Sequence, residues 1–237
     1  MNEFYFMRHG HHIPAQDEPT FAGLTSRGCD EARSLAGHFS GLKNVAAYSV
    51  DNEYSMASVA LALLPETSNE SADTIVDSLR KSNVLHPDED LSYYRLGYAD
   101  QEFSQAMNQA FRDGTLLRFF VEESDDYLQQ NPNLSTYSTM TAVIKKKLSR
   151  TRRQAEIYCA KEFFVPVFRA RMIERKLGAT AVTHYVDYYC SELEWNPKAR
   201  QMVTRIRHDN DEFILEDSYG VLEFSKRDLL NIDEGKD

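Results

Sequence analysis

Residues 3–10, Glu3-Phe4-Tyr5-Phe6-Met7-Arg8-His9-Gly10, join a run of apolar residues to two basic side chains and a glycine. Aromatic residues are frequent in strands because they fit the pleated surface of a sheet, so the run predicts a short buried strand. Arg8 and His9 then follow directly at its carboxyl end. Ligands of open α/β sheets bind outside the carboxyl ends of the strands. The segment therefore predicts a strand with a functional pocket beside it.

Strands and helices alternate along the first ninety residues. Thr25 or Ser26 is suited to cap a helix over about 26–39, in which apolar residues recur at helical spacing. The pattern then predicts a strand over 45–49, helices over 54–64 and 72–81, and a short strand over 83–86. This alternation predicts an α/β fold, a three-layer α/β/α arrangement with a mostly parallel sheet.

The second half of the chain has a different pattern. Residues 98–176 are charged and helical in pattern, with breaks at Gly114 and at Asn131-Pro132, and we interpret them as a helical insertion. Residues 179–183 are predicted to form a strand that ends at His184. A hairpin is expected over 202–207 and 212–216. We expect residues 1–237 to form a single domain that contains the insertion.

The composition excludes several classes of protein. The chain has 237 residues and a net charge of −10, which argues against a surface that tracks a nucleic acid. The sequence contains no apolar run near the roughly 20 residues of a membrane span, and residues 1–4 do not resemble a signal peptide. The basic residues of 145–153 are better explained as a solvated helix face than as a polyanion site. Three cysteines without metal-ligand spacing predict reduced thiols and a cytoplasmic location.

The order of several motifs resembles that of the histidine phosphatase (phosphoglycerate-mutase-like) superfamily. The segment Arg8-His9-Gly10 resembles the family's RHG signature, which is a weak signal when it stands alone. Four further segments, in the family's order, resemble LTxxGxxQA, SSxxxRAxxTA, LxExxxG and the late VSH: 24–32, 48–58, 91–97 and 182–184. The resemblance covers nearly the whole chain apart from residues 98–176.

The resemblance implies a phosphatase pocket without a metal or a cofactor. His9 would attack phosphorus and form a phosphohistidine, and Arg8 would clamp the phosphoryl oxygens. His184 would donate a second hydrogen bond to these oxygens. Gly10 would let the backbone approach the phosphate, and His11 would lie at the mouth of the pocket. The nearby histidines have no partner spacing that supports a metal site.

The chain departs from the family pattern at two important positions. The alignment places Tyr54 where the family has its second phosphate-clamping arginine, and Tyr93 where it has its general-acid glutamate. Both tyrosines are therefore candidate substrate-binding residues. Loss of a general acid typically costs about 10²–10⁴ in rate. Substitutes for the acid or the clamp remain open: Glu89, Asp90, Glu102, Asp187 and Arg95.

Two functional hypotheses follow. The first is a divergent phosphohydrolase that acts on a small phosphomonoester through a phosphohistidine at His9. The second is a catalytically inactive pseudophosphatase that binds a phosphate-bearing ligand or a protein partner. In both, we expect sulfate to bind through Arg8 and backbone N–H groups near Gly10. We also expect tighter binding at pH 6 than at pH 8, because His9 and His184 would become cationic. The sequence assigns neither the substrate nor the oligomeric state.

Overall fold

A computed structural model describes residues 2–12, 23–64, 72–92, 100–129, 131–132, 134–149, 155–161, 163–193 and 203–232. The described strands are β1 (Asn2–Met7), β2 (Ala46–Ser49), β3 (Leu85–Pro87), β4 (Ala155–Cys159), β5 (Val203–Asp209), β6 (Glu212–Asp217) and β7 (Gly220–Ser225). The strands predicted near residues 3–7, 45–49 and 83–86 are confirmed as β1, β2 and β3.

Helices cover much of the remaining described chain. They are α1 (Ser26–Ser34), α2 (Ala36–Phe39), α3 (Glu53–Leu63), α4 (Ala72–Lys81), α5 (Gln101–Asp113), α6 (Leu116–Glu122), α7 (Tyr137–Leu148), α8 (Phe164–Leu177), α9 (Ala179–Tyr188) and α10 (Lys226–Leu230). Thr25 caps α1, as predicted, because its side chain accepts a hydrogen bond from the backbone of Gly28. None of the helices in the described ranges is long and apolar enough to cross a membrane.

The seven strands form one sheet in the order β3-β2-β4-β1-β5-β6-β7. The four strands from β3 to β1 are parallel to one another, and β5, β6 and β7 extend the sheet by antiparallel pairing. β1 therefore lies at the centre, next to β4 on one side and β5 on the other. The carboxyl ends of β1 and β4 meet at the same edge of the sheet.

Alternate residues of β1 supply the two faces of the sheet. Phe4 and Phe6 pack into a core with residues of α5 to α10, while Tyr5 and Met7 pack into a second core with residues of α2, α3 and α4. A third, smaller cluster joins α1 to α3. The helices thus cover both faces, which confirms the predicted three-layer α/β/α fold. Burial on both faces also explains why β2 and β4 contain no exposed residue.

β4 corrects the prediction that residues 98–176 are a helical insertion. Its five residues are buried between β2 and β1, so this region supplies a central strand of the sheet as well as helices. The charged Glu156 within this strand made the run difficult to identify. In the core, Oε2 of Glu156 accepts a hydrogen bond from the hydroxyl of Tyr158.

The prediction of a strand over residues 179–183 is wrong, because these residues begin α9. Val182, Tyr185 and Val186 are the buried residues of this helix, and their spacing of three and four is helical. Gly178, with φ of 89°, separates α8 from α9 in a backbone conformation that favours glycine. The predicted hairpin is confirmed as β5 and β6, to which β7 adds a third antiparallel strand.

Candidate functional site

The first residues after β1 and β4 lie side by side at the carboxyl edge of the sheet. Met7 is paired with Cys159, and the backbone N–H of Ala160 donates to the carbonyl of Met7 at 3.1 Å. The chain after β1 carries Arg8 and His9, and the chain after β4 carries Lys161. Together with two residues from neighbouring segments, these form what we call the β1–β4 site: Arg8, His9, His12, Tyr54 and Lys161.

The backbone of the loop after β1 packs closely on α1. A β-carbon at Gly10 would lie 2.2 Å from the carbonyl oxygen of Gly28, and one at Gly28 would lie 2.1 Å from that of His11. Both positions therefore require glycine. The N–H of Gly10 donates to Ser58 Oγ at 2.9 Å, and the N–H of His11 donates to Glu31 at 3.0 Å. These N–H groups are already engaged in the structure, contrary to the expectation that they bind an anion.

The imidazole of His9 is oriented by its own loop. The Nδ1 atom lies 3.0 Å from the carbonyl oxygen of Gly10. A carbonyl only accepts hydrogen bonds, so this contact requires a proton on Nδ1 and leaves the lone pair of a neutral ring on Nε2. The pKa of His9 is lowered to about 3, mainly by burial and also by the nearby charges of Lys161 and Arg8, whereas the hydrogen bond to the Gly10 carbonyl acts in the opposite direction. His9 is therefore a neutral imidazole at physiological pH.

The neutral state of His9 removes its contribution to the expected pH dependence of anion binding. That expectation required both His9 and His184 to become cationic near the ordinary histidine pKa of 6.5. With a pKa of about 3, His9 gains no charge between pH 8 and pH 6. The pKa of His12 is also lowered, first by burial and then by the charge of Lys161. The fixed positive charge of the site therefore comes from Arg8 and Lys161.

Tyr54 lies in the first turn of α3 and forms an aromatic wall with two histidines. Its ring meets the ring of His9 edge to face, at 4.9 Å between centroids, and stacks on the ring of His12 at 4.1 Å. The side chain of Asn52 caps α3 by accepting from the N–H of Ser55, which fixes the start of this helix. The structure thus places Tyr54 beside His9, where the alignment predicted a residue of the site.

Lys161 is the residue of the site that the sequence did not reveal. Its Nζ donates a hydrogen bond to Tyr54 Oη at 2.9 Å and lies 5.1 Å from the centre of the Tyr54 ring. Its backbone N–H donates to the carbonyl of Leu91, which fixes the chain between β4 and α8. Once β4 is identified as a strand, Lys161 can be recognised as a charged residue that closely follows a short buried strand.

Arg8 is partly buried next to His9. Its Nε atom is inaccessible to solvent and has no hydrogen-bond partner among the described residues. A buried guanidinium N–H without a partner is costly, and an anion that accepts from it removes this cost. Arg8 is therefore available to a bound anion.

The other predicted site residues lie elsewhere or have other partners. His184 is exposed on the helix α9 and does not follow a strand, as its predicted role had assumed. The ring of His11 contacts Thr25 Oγ1 at 3.0 Å. Tyr93 and Arg95 lie outside the described residues.

Three of the candidate acids are engaged elsewhere. Asp187 pairs with Arg118, Asp90 pairs with Lys146, and Glu89 accepts from the backbone N–H of Asp51. Glu102 lies in the first turn of α5.

No family model matches the sequence, and no curated protein matches it. The matching solved structures include YhfR of Bacillus stearothermophilus, which is 14% identical, with a TM-score of 0.47 and coverage of 89% of this chain and 93% of that chain. A putative alpha-ribazole-5'-P phosphatase of Escherichia coli is 13% identical (TM-score 0.45, 89% and 92% covered). A mutant phosphoserine phosphatase of Entamoeba histolytica in complex with phosphoserine is 11% identical, with a TM-score of 0.47 and coverage of 95% of this chain and 96% of that chain. At these values, the similarity assigns neither a substrate nor a residue role to this chain.

Proposed function

We propose that the chain is a phosphohydrolase that acts on a small phosphomonoester through a phosphohistidine formed on His9. One observation carries this proposal. The hydrogen bond from Nδ1 to the carbonyl of Gly10 and the low pKa keep the imidazole neutral and direct the Nε2 lone pair away from the loop. A neutral, oriented imidazole next to positive charge has the properties of a nucleophile toward a phosphoryl group.

The reaction proceeds in two displacements. Nε2 of His9 forms a bond to phosphorus while the bond from phosphorus to the ester oxygen breaks, and the leaving oxygen takes a proton from the surrounding water. A water molecule then attacks phosphorus and gives up one proton to the solvent, which replaces the proton taken by the leaving oxygen, while the P–N bond breaks and its electron pair returns to Nε2. The net change converts one phosphomonoester and one water into an alcohol and inorganic phosphate.

Arg8 supports both displacements by holding the phosphoryl oxygens. Its guanidinium keeps its charge at all physiological pH values and donates from several N–H groups in a planar fork that fits phosphate. The negative charge of the three equatorial oxygens persists through the transition state of phosphoryl transfer. A cation that stays in place beside His9 therefore stabilises the transition state as well as the bound ester.

Binding without turnover is the second candidate function. The described contacts of the His9 ring are with Gly10, His12 and Tyr54, and none of these supplies a carboxylic acid to protonate a leaving group. A pseudophosphatase would use the same residues to hold a phosphate-bearing ligand or a phosphorylated partner. For the phosphohydrolase, the same feature predicts weak turnover of p-nitrophenyl phosphate.

The partner in either case is a small phosphorylated molecule or another phosphate-bearing ligand, and we propose no nucleic acid, membrane or cofactor. The cytoplasm is the proposed location, on the basis of the odd number of cysteines and their spacing. All three cysteines are buried in the structure.

A panel of phosphorylated metabolites tests the proposed function. Phosphate release should be detectable for at least one metabolite and should be lost in His9→Asn, because an amide cannot form the phosphohistidine. His184→Asn should release phosphate as the wild type does, since this histidine is exposed on α9. Loss of activity in His184→Asn would restore the role expected from the sequence. Equal activity of wild type and His9→Asn would contradict the proposal.

A further inference from the structure

We propose that Lys161 is the second cation that holds the transferred phosphoryl group and that Tyr54 positions its ammonium. This inference rests on the proposed function and specifies the ligand of the same site as a dianionic phosphoryl or sulfuryl group. Tyr54 lies in the signature segment 48–58, whereas Lys161 lies outside all the signature segments that the sequence offered.

The backbone places Lys161 beside the nucleophile. β4 is paired in parallel with β1, so residues that follow the two strands leave the sheet at the same edge. The N–H of Ala160 donates to the carbonyl of Met7, two residues before His9. The backbone of Lys161 is itself held at both ends, by the carbonyl of Leu91 and by the N–H of Phe164. This strand pairing places the backbone of Lys161 at the same edge of the sheet as the loop that carries His9.

Tyr54 fixes the other end of the lysine side chain. The ammonium donates to Tyr54 Oη at 2.9 Å, and the ring of Tyr54 contacts the ring of His9. An ammonium has three N–H groups, so the bond to Tyr54 occupies one of them. The other two have no hydrogen-bond partner in the described parts of the chain. They are available to oxygens of an anion bound in front of His9.

The two positive charges of the site favour a ligand that carries two negative charges. Arg8 and Lys161 supply two positive charges, whereas His9 is neutral because its pKa is lowered. The whole chain carries a net charge of −10, so the site is a local positive region on an acidic protein. Two cations at a half-buried site favour a dianion over a monoanion, since each cation then pairs with one unit of charge. A phosphomonoester at neutral pH is such a dianion.

Titration calorimetry with sulfate as the dianion and methanesulfonate as the monoanion tests the inference. Lys161→Met keeps most of the length of the side chain and removes its charge, while Lys161→Arg keeps the charge. We expect Lys161→Met to weaken sulfate binding by about 10- to 100-fold, the effect of one lost charge-assisted hydrogen bond. The loss for methanesulfonate should be smaller, so the preference for the dianion should fall. Lys161→Arg should keep most of the affinity.

Tyr54→Phe isolates the positioning role, because it removes the hydroxyl and keeps the ring. Sulfate binding should weaken by less than in Lys161→Met, since the ammonium remains but is no longer held. NMR titration supplies a second readout, because Lys161→Met removes the charge next to His9 and Lys161→Arg retains it. The pKa of His9 should rise in Lys161→Met, because the cationic charge that lowers it is gone.

Sulfate affinity of Lys161→Met within about twofold of the wild type would overturn the inference. So would an unchanged preference for the dianion. These failures differ from failure of the proposed function, which is the absence of a phosphohistidine on His9. If sulfate binding depends on Lys161 but no phosphohistidine forms, the inference about Lys161 holds and the chain is a binding protein. A phosphohistidine together with Lys161-independent sulfate binding refutes the inference alone.

Discussion

The burial of a neutral His9 predicts a specific loss of stability in acid. The pKa of His9 is about 3 in the folded protein, whereas an unfolded histidine titrates at 6.5. Below pH 6.5, the unfolded chain therefore binds a proton at this residue and the folded protein does not. The contribution of His9 is fully present above pH 6.5, and it is lost at about 1.36 kcal/mol per pH unit as the pH falls toward 3.

The variant His9→Asn removes this titration. Its side-chain amide can still donate to the carbonyl of Gly10, so the orientation of the loop is retained. Between pH 8 and pH 5, the wild type should lose about 2 kcal/mol more of its free energy of unfolding than the variant. The other groups that titrate in this range, including His12, are present in both proteins and cancel in the difference.

Urea denaturation followed by circular dichroism measures this difference at constant ionic strength. The free energy of unfolding of each protein is determined at pH 8 and at pH 5, and the two losses are subtracted. An equal loss in wild type and His9→Asn would refute the claim that His9 is held neutral. A larger loss in the variant would mean that the folded state favours the protonated ring.

Three further outcomes are expected. Gly10→Ala should destabilise the fold by about 1–3 kcal/mol, because the new β-carbon would lie 2.2 Å from a backbone oxygen. Gly37→Ala is the control and should not destabilise the fold, since the space around this position is open. Thermal denaturation compares the two variants. Lys147→Met should cost about 3–5 kcal/mol in urea denaturation by leaving Asp88 without its ion pair, since the lysine side chain is 2% exposed and the carboxylate 14%. The exposed Lys146→Met is its control and should change stability by less than about 1 kcal/mol. Sulfate should bind the wild type equally tightly at pH 6 and pH 8 in calorimetry, because the nucleophilic imidazole stays neutral; tighter binding at pH 6 would contradict this.

Local signals were sufficient to predict the first half of the fold. The aromatic residues of β1 and the cap at Thr25 act within a few residues of the elements they specify. Arg8 and His9 could be identified because they directly follow a strand whose pattern is clear. The position of Tyr54 in the site followed from the spacing of the motif after β2.

Lys161 could not be predicted from local signals. Its partner Tyr54 is 107 residues away, and the contact exists only because β4 inserts between β2 and β1. The buried Glu156 made β4 difficult to predict, since a charged residue in a core strand needs a hydrogen-bond partner, and the sequence alone does not identify that partner. The segment that carries His184 was assigned to a strand because a short motif was given more weight than the helical spacing of Val182, Tyr185 and Val186.

The most direct test of the account is the detection of a phosphoryl group on His9. Wild type is mixed with a substrate found in the metabolite panel and quenched in alkali, which preserves phosphohistidine, and tryptic peptides are analysed by mass spectrometry. The account predicts one phosphoryl group on the peptide that contains His9 and none in His9→Asn. Phosphate release by the wild type without this modification, or the same modification in His9→Asn, would contradict it.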